Sequence, residues 1–172
     1  KQELWLYDVK TNSWSQANPK GPPPPFGIDP TSCYDAKRDL VYMGGGVHPV
    51  ATGSSAFWIY DVKSNIWIDP SPTGNIGGNK YHTNIAMMHC DIVNNVVVLI
   101  RHKGGEARGI YVYDPAKNAW SVATRSFPSQ WPEINSTKAS SGYYDPKLNL
   151  HFFHIAADSQ DNGIIAVYRY KR

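Results

Sequence analysis

Short apolar runs rich in aromatic and β-branched residues alternate along the chain with short polar segments that contain Asp, Asn, Gly or Pro. Such apolar runs favour strands, and the polar segments have the composition of tight turns. The best apolar run, Val96–Ile100, is far shorter than the ~18 residues of a membrane-spanning helix. The pattern therefore predicts an all-β chain with essentially no helix.

Two hairpin motifs recur along the chain. The pattern Tyr-Asp-x-x-x-Asn-x-Trp occurs three times at an interval of 53 residues: Tyr7, Tyr60 and Tyr113, followed by Trp14, Trp67 and Trp120. A second motif has an Asp followed four residues later by Asp or Asn, and it begins at Asp35, Asp91 and Asp145. In both motifs, the first Asp can accept hydrogen bonds from N–H groups of the turn, and the later Asn or Asp tolerates the left-handed conformation of a tight turn.

The two motifs together predict a repeating unit of four antiparallel strands, here named a to d. In the first unit the strands are expected at 30–35, 40–45, 56–61 and 65–69, in the second at 84–90, 96–102, 109–114 and 118–123, and in the third at 139–144, 149–155 and 163–170. A half unit with strands c and d alone precedes them.

This unit resembles the kelch repeat of β-propellers. The resemblance lies in a strand b that ends in Gly44-Gly45-Gly46, a Tyr before the c–d turn and a Trp at the start of strand d. The second and third units depart from the pattern, because Arg101-His102 and Ile155-Ala156 replace the glycines. A unit of about 50 residues is the length of a kelch blade. The resemblance implies a kelch-type propeller fragment of four-stranded antiparallel blades: a half blade at 1–16, blades at 27–70 and 82–123, and a blade without its last strand at 138–172.

The blade count is too low for closure. Propellers close with four to eight blades, and this chain supplies about three and a quarter. We expect the chain to be the C-terminal half of a six- or seven-bladed propeller. The alternative is a half-propeller that pairs with a second copy. The expected partners therefore include either the remaining blades or another copy of the chain.

The b–c and d–a connections are long, and both are expected on one face of the propeller, where variable loops on a rigid frame carry binding chemistry. The candidate binding residues on this loop face are His48, Tyr81, His82, Arg101, His102, Lys103, Arg108, Trp131, His154 and Asp158. Arg101 and His102 could instead bond neighbouring backbone, and Trp131 could pack its own loop rather than a sugar. His89 and His151 lie within strands, which indicates structural roles.

Tyr81-His82-Thr83 resembles the Tyr-His-Ser run that supplies copper ligands in the kelch-like galactose and glyoxal oxidases. Those enzymes also need a cysteine-linked Tyr and a further His, which are not visible here. His48 and His154 do not occupy equivalent positions, and no close ligand spacing supports a metal site. No cofactor is expected.

Composition narrows the functional classes. The net charge of +3 is too balanced to indicate nucleic acid or an anionic membrane as a partner. The two cysteines, Cys33 and Cys90, do not make a disulfide framework and leave the compartment open. The glycosylation sequon Asn135-Ser136-Thr137 slightly favours a secreted or periplasmic location.

The favoured function is a binding module that recognises a carbohydrate or a protein through the loop face, because no complete catalytic set is present. The alternative is an enzyme acting on sugars, of oxidase, epimerase or lyase type, with Arg101, His102 and His154 in its site. A third hypothesis is a scaffold whose blades only space other domains.

Overall fold

A computed structural model describes residues 3–24, 28–47, 57–74, 86–101, 108–128, 141–155 and 163–171. These residues form thirteen strands and no helix. The strands are β1 Trp5–Asp8, β2 Ser13–Gln16, β3 Ile28–Asp35, β4 Leu40–Val47, β5 Phe57–Asp61, β6 Ile66–Ile68, β7 Ala86–Asp91, β8 Val96–Arg101, β9 Gly109–Asp114, β10 Ala119–Thr124, β11 Ser141–Asp145, β12 Leu150–Ile155 and β13 Ile164–Tyr168. The all-β prediction is confirmed, and each strand predicted for the three units ends within two residues of its expected bounds.

The strands form four antiparallel sheets in chain order. Sheet A contains β1 and β2, sheet B contains β3 to β6, sheet C contains β7 to β10, and sheet D contains β11 to β13. Within each sheet, neighbouring strands in the sequence are neighbours in space. This is the up-and-down order expected for blades that begin with strand a on one side and end with strand d on the other.

All six hairpin turns use the predicted Asp and Asn chemistry. The Asp that ends the first strand accepts backbone N–H bonds from the turn, for example from Ser64 to Asp61 at 3.0 Å and from Asn94 to Asp91 at 2.8 Å. The residue four positions later has a positive φ of 47–59° in every turn: Asn12, Asp39, Asn65, Asn95, Asn118 and Asn149. In five of the turns a Tyr hydroxyl also donates to this residue, which ties the strand to its turn.

The core consists of two apolar layers between sheets. One lies between sheets B and C and includes Tyr42, Phe57, Leu99, Tyr111 and Trp120. The other lies between sheets C and D and is built by Val98, Ile100, Val112, Phe153 and Ile155. Side chains alternate across a strand, so sheet C is covered on both faces, and all six residues of β8 are buried. Adjacent sheets approach most closely through their first strands, β3 with β7 and β7 with β11. This convergence is compatible with a propeller-like arrangement.

A disulfide joins the first strands of sheets B and C. Cys33 of β3 bonds Cys90 of β7, with Cα atoms 5.6 Å apart. The sequence interpretation that the two cysteines form no framework is therefore wrong. Cys33 lies two residues before the hairpin Asp of its strand, and Cys90 lies one residue before its own. Because successive side chains point to opposite faces, the two sulfurs face each other across the interface.

The outer strands of adjacent sheets are held by a repeated contact that we call the clasp. Residues 17–21, which follow sheet A, run beside the start of β6, where Lys20 N donates to Asn65 O at 2.9 Å and Trp67 N donates to Lys20 O at 3.1 Å. Residues 70–74, which follow sheet B, make the same pair of bonds to the start of β10 through Thr73. The clasp therefore links sheet A to sheet B and sheet B to sheet C.

The turn asparagines complete the clasp. Asn65 donates from Nδ2 to Ala17 O at 2.7 Å, and Asn118 donates to Pro70 O at 2.6 Å. Gly74 has a φ of +84°, and a Cβ at this residue would lie 2.3 Å from Trp120 O. Only glycine fits there without a shift of the backbone.

Asn118→Gly should lower the free energy of unfolding by about 2 kcal/mol more than Asn12→Gly. Both residues have a positive φ and accept a Tyr hydroxyl, so glycine suits both backbones. Only Asn118→Gly removes a bond to the preceding connection and leaves a buried hydroxyl, that of Tyr113, without its acceptor. Urea unfolding of the two variants measures the difference. Equal costs would contradict a stabilising clasp.

Candidate functional site

The sheets have two unlike ends. The a–b and c–d hairpin turns all have four residues and lie at one end, which we call the short-turn end. The b–c connections, 48–56, 102–108 and 156–163, leave the opposite end, which we call the loop end. The short-turn end is further fixed by bonds between neighbouring sheets, from Lys37 Nζ to Asn95 at 3.0 Å and from Asn94 to Asn149 at 3.1 Å. The loop end is thus carried on a rigid frame.

The d–a connections do not belong wholly to the loop end. Their described first parts, 17–21 and 70–74, form the clasp beside the c–d turn of the next sheet. The expectation that the whole of each d–a connection lies on the loop face is therefore wrong for these residues. Backbone groups of Lys20 and Thr73 bond the next sheet, and carbonyls of Ala17 and Pro70 accept from its turn Asn, which assigns these residues a structural role.

Arg101 is the last residue of β8, at the loop end. It lies on the same face of the strand as Val97 and Leu99, toward sheet B, and its side chain is only 2% exposed. Burial lowers the pKa of its guanidinium, and nearby Tyr111 partly opposes this effect. Arg101 is not without a partner, as a buried cation requires. It could reach a ligand only from within the interface between sheets B and C.

Arg108 lies on the other side of sheet C. It immediately precedes β9, and its guanidinium carbon lies 4.8 Å from the ring centroid of Phe127. Phe127 packs against the apolar layer between sheets C and D. The half-buried Arg108 is therefore oriented by an aromatic ring at the loop end, an arrangement that lets a cation stay partly accessible.

His154 is on β12, and its side chain is exposed. It follows the buried Phe153, which faces sheet C, so its side chain points to the opposite face of sheet D. A Cβ at Gly163 would lie 2.6 Å from His154 Nε2, which shows how closely the imidazole follows the backbone there. The structure does not bring His154 and Arg101 together, because sheets C and D separate them.

The remaining candidates lie outside the described residues. They are His48, Tyr81, His82, His102, Lys103, Trp131 and Asp158. Their roles stay predictions from the sequence. Among the residues that the structure does describe, no group of three or more His, Cys, Asp or Glu could hold a metal ion.

A buried polar cluster lies between the short-turn halves of sheets C and D. The Nδ1 atoms of His89 and His151 are 3.3 Å apart, their rings are stacked, and His151 Nε2 lies 3.4 Å from an Asp91 carboxylate oxygen. His89 Nε2 is buried against Gly142 and has no hydrogen-bond partner. These contacts assign Nε2–H to His151 and Nδ1–H to His89. The nitrogen of His89 without a hydrogen-bond partner is therefore Nε2, which carries no hydrogen.

The cluster explains two displaced pKa values. Burial, reinforced by His151, lowers the pKa of His89 to about 3, although the nearby Gly142 backbone opposes the shift. Burial tends to raise the pKa of Asp91, but bonds from His151 and Asn94 outweigh it and lower the value to about 2. Both histidines are nearly inaccessible, at 5% and 0% exposure. The cluster is therefore part of the frame, as the sequence indicated for His89 and His151, and not a ligand site.

Sequence reasoning missed the disulfide and the clasp. The clasp does carry a signal, since Asn18-Pro-Lys-Gly21 and Ser71-Pro-Thr-Gly74 repeat at the same interval of 53 residues as the hairpins. The disulfide could have been found by combining the repeat with the alternation of side chains along strand a.

Comparison with models of known protein families finds no match to the chain. Comparison with curated proteins finds no significant match either. Among the described residues, none forms a helix able to cross a membrane.

Proposed function

We propose that the chain is a kelch-repeat binding module that recognises a carbohydrate or a protein through the loop end of its sheets. The observation that carries this proposal is the contrast between the two ends. At the short-turn end every hairpin repeats the same bonds, whereas the b–c connections differ in both length and sequence. Variable connections on a uniform frame are where binding residues are usually found.

The kelch assignment is supported by three features of the repeat. The Tyr and Trp of each c–d hairpin pack together, with centroids 5.0–5.3 Å apart. The clasp recurs with the period of the hairpins. The first strands of neighbouring sheets converge, as blades around a common axis must.

An enzyme that combines Arg101 and His154 in one site gains no support from the geometry, because Arg101 is buried between sheets B and C whereas His154 is exposed on the face of sheet D that points away from sheet C. Arg108, in contrast, is positioned at the loop end by Phe127 and remains half-buried. It is the described residue that best fits contact with a polar ligand, and Lys103 belongs to the same b–c connection.

The disulfide bears on location. Structural disulfides persist in oxidising compartments and are rare in the cytosol of most organisms. Together with the sequon at Asn135, the Cys33–Cys90 bond supports a secreted or periplasmic module.

A glycan array and a protein-interaction screen with the full chain test the proposal. For any ligand found, Arg108→Ala and Lys103→Ala should each weaken binding by about tenfold or more. Lys63→Ala, which changes an exposed lysine at the short-turn end, is the matched control and should leave the affinity unchanged. Blank results in both screens, or an equal loss with the control variant, would contradict a loop-end binding module.

A further inference from the structure

Two sheet faces, one at each end of the row of sheets, carry exposed apolar side chains. On sheet D, Ile165 is 77% exposed and Val167 is 51% exposed, beside Tyr143 at 58%. These three and Phe152, on which Tyr143 stacks at 4.9 Å, form what we call the sheet D face. On sheet A, Trp5, Tyr7 and Trp14 form the sheet A face, with exposures of 49%, 45% and 66%.

The inside of the molecule shows how two such faces fit together. Between sheets B and C, the ring of Phe57 meets Tyr113 at 4.8 Å and Trp120 at 5.0 Å, both edge to face. Tyr42 also approaches Tyr113, at 6.0 Å. An aliphatic and aromatic face of one sheet thus receives the Tyr–Trp pair of the next.

The sheet D face is equivalent to the first member of that interface. Phe152 pairs with Val167 as Tyr42 pairs with Ile59. Ile165 occupies the position of Phe57, because Phe57 lies three residues before Tyr60 of β5 and Ile165 lies three residues before Tyr168 of β13. In sheet B, this face packs against sheet C. In sheet D, the equivalent face is exposed.

The sheet A face is equivalent to the second member. Tyr7 and Trp14 correspond to Tyr113 and Trp120, two repeat intervals further along the chain. Tyr7 is 45% exposed where Tyr113 is 2% exposed, and Trp14 is 66% exposed where Trp120 is 7% exposed. Sheet B covers Tyr113 and Trp120, whereas none of the described sheets covers Tyr7 and Trp14.

We propose that these two faces bind each other between two copies of the chain, so that Ile165 of one copy packs between Tyr7 and Trp14 of the other. The contact is head to tail, and such contacts close into a ring when the rotation permits. The described residues of each copy form four sheets. Two copies supply eight, the upper end of the four to eight blades with which propellers close, and three copies would exceed it. This inference goes beyond ligand binding at the loop end and does not depend on it.

Light scattering and sedimentation of the full chain over a dilution series test the inference. The expected mass is twice 19.2 kDa. Ile165→Glu and Trp14→Glu should each weaken the association by about tenfold or more, because each would bury an uncompensated charge. Val93→Glu, at an exposed apolar residue of an a–b turn, is the control and should leave the mass unchanged.

Mixing the two variants provides a sharper test. A pair made of one Ile165→Glu copy and one Trp14→Glu copy retains one wild-type interface, so the mixture should associate more tightly than either variant alone. A wild-type chain that stays at 19.2 kDa overturns the proposal. Association that persists in both variants would also overturn the proposal, because the copies would then associate through another surface, such as a free strand edge.

Discussion

Replacing Cys33 or Cys90 with serine should lower the free energy of unfolding by about 2–4 kcal/mol. The bond closes a loop across a sequence separation of 57 residues and joins the strands through which sheets B and C approach most closely. Loss of the bond raises the conformational entropy of the unfolded chain. The serine also places a hydroxyl beside an apolar layer formed by Tyr42, Phe57 and Met88.

Thermal and urea unfolding measure this effect. Cys33→Ser, Cys90→Ser and the double variant should be destabilised to the same extent, because each removes the same single bond. Reduction of the wild-type chain should reproduce the loss and leave the double variant unchanged. A double variant whose cost is the sum of the single costs would show that the two cysteines act independently and are not bonded.

Acid should destabilise the chain by about 3 kcal/mol between pH 7 and pH 4, largely through His89. The pKa of His89 is about 3 in the folded protein, against an ordinary value of 6.5. Between these two pKa values, His89 therefore binds a proton in the unfolded chain but not in the folded chain. The stability is fully present above pH 6.5 and is lost progressively as the pH falls toward 3. Asp91, with a pKa of about 2, adds a further loss below its ordinary value of 3.8.

The physical reason lies in what surrounds the imidazole of His89. Among the described residues, the groups that face it or its partner include His151, Asp91, Tyr144, Tyr168 and the backbone of Gly142, and the ring of Phe153 stacks on it. A proton on Nε2 would place a charge in the buried contact with Gly142, and the backbone of Gly142 offsets only part of the cost of burying that charge. The carboxylate of Asp91 reaches His151 and not His89, so it compensates that charge only at a distance.

Urea unfolding across this pH range tests the assignment in two variants. His89→Asn keeps a polar atom near the position of Nδ1 but does not titrate, and it should remove most of the dependence between pH 6.5 and pH 4. His154→Asn changes an exposed histidine and should leave the wild-type dependence intact. Full retention of the pH dependence in His89→Asn would assign the effect to another group.

The sheets and turns could be predicted because their causes are local. A Tyr-Asp-x-x-x-Asn run contains its own turn acceptor, its left-handed residue and the hydroxyl that joins them, as seen in Tyr60, Asp61 and Asn65. No distant part of the chain is needed to form such a hairpin. The period of the hairpins then sets the order of the sheets.

Contacts between sheets were harder to predict. The bond of Cys33 to Cys90 depends on which face of strand a each residue occupies, one repeat apart. The clasp depends on where a connection passes the next sheet, as with Thr73 beside Trp120. Neither the disulfide nor the clasp follows from the sequence of one hairpin alone, although comparison of residues one repeat apart gives a signal for both.

The candidate site could be predicted only in outline. The chain direction correctly indicates that b–c connections leave opposite the short turns. It did not indicate that Arg101 is buried between sheets B and C, or that His154 points away from sheet C. Such orientations depend on the alternation of side chains at strand ends.

The central claim is that the sheets fan out from converging first strands, and distances between spin labels at equivalent turn positions test it most directly. One pair of nitroxides is placed at Lys37 and Val93, in the a–b turns of sheets B and C, and the other at Lys63 and Ala116, in the c–d turns of the same sheets. Each label lies two residues after its turn Asp, so local geometry is matched. We expect the first distance to be clearly shorter than the second. Equal distances would indicate sheets stacked in parallel and would contradict the propeller-like arrangement.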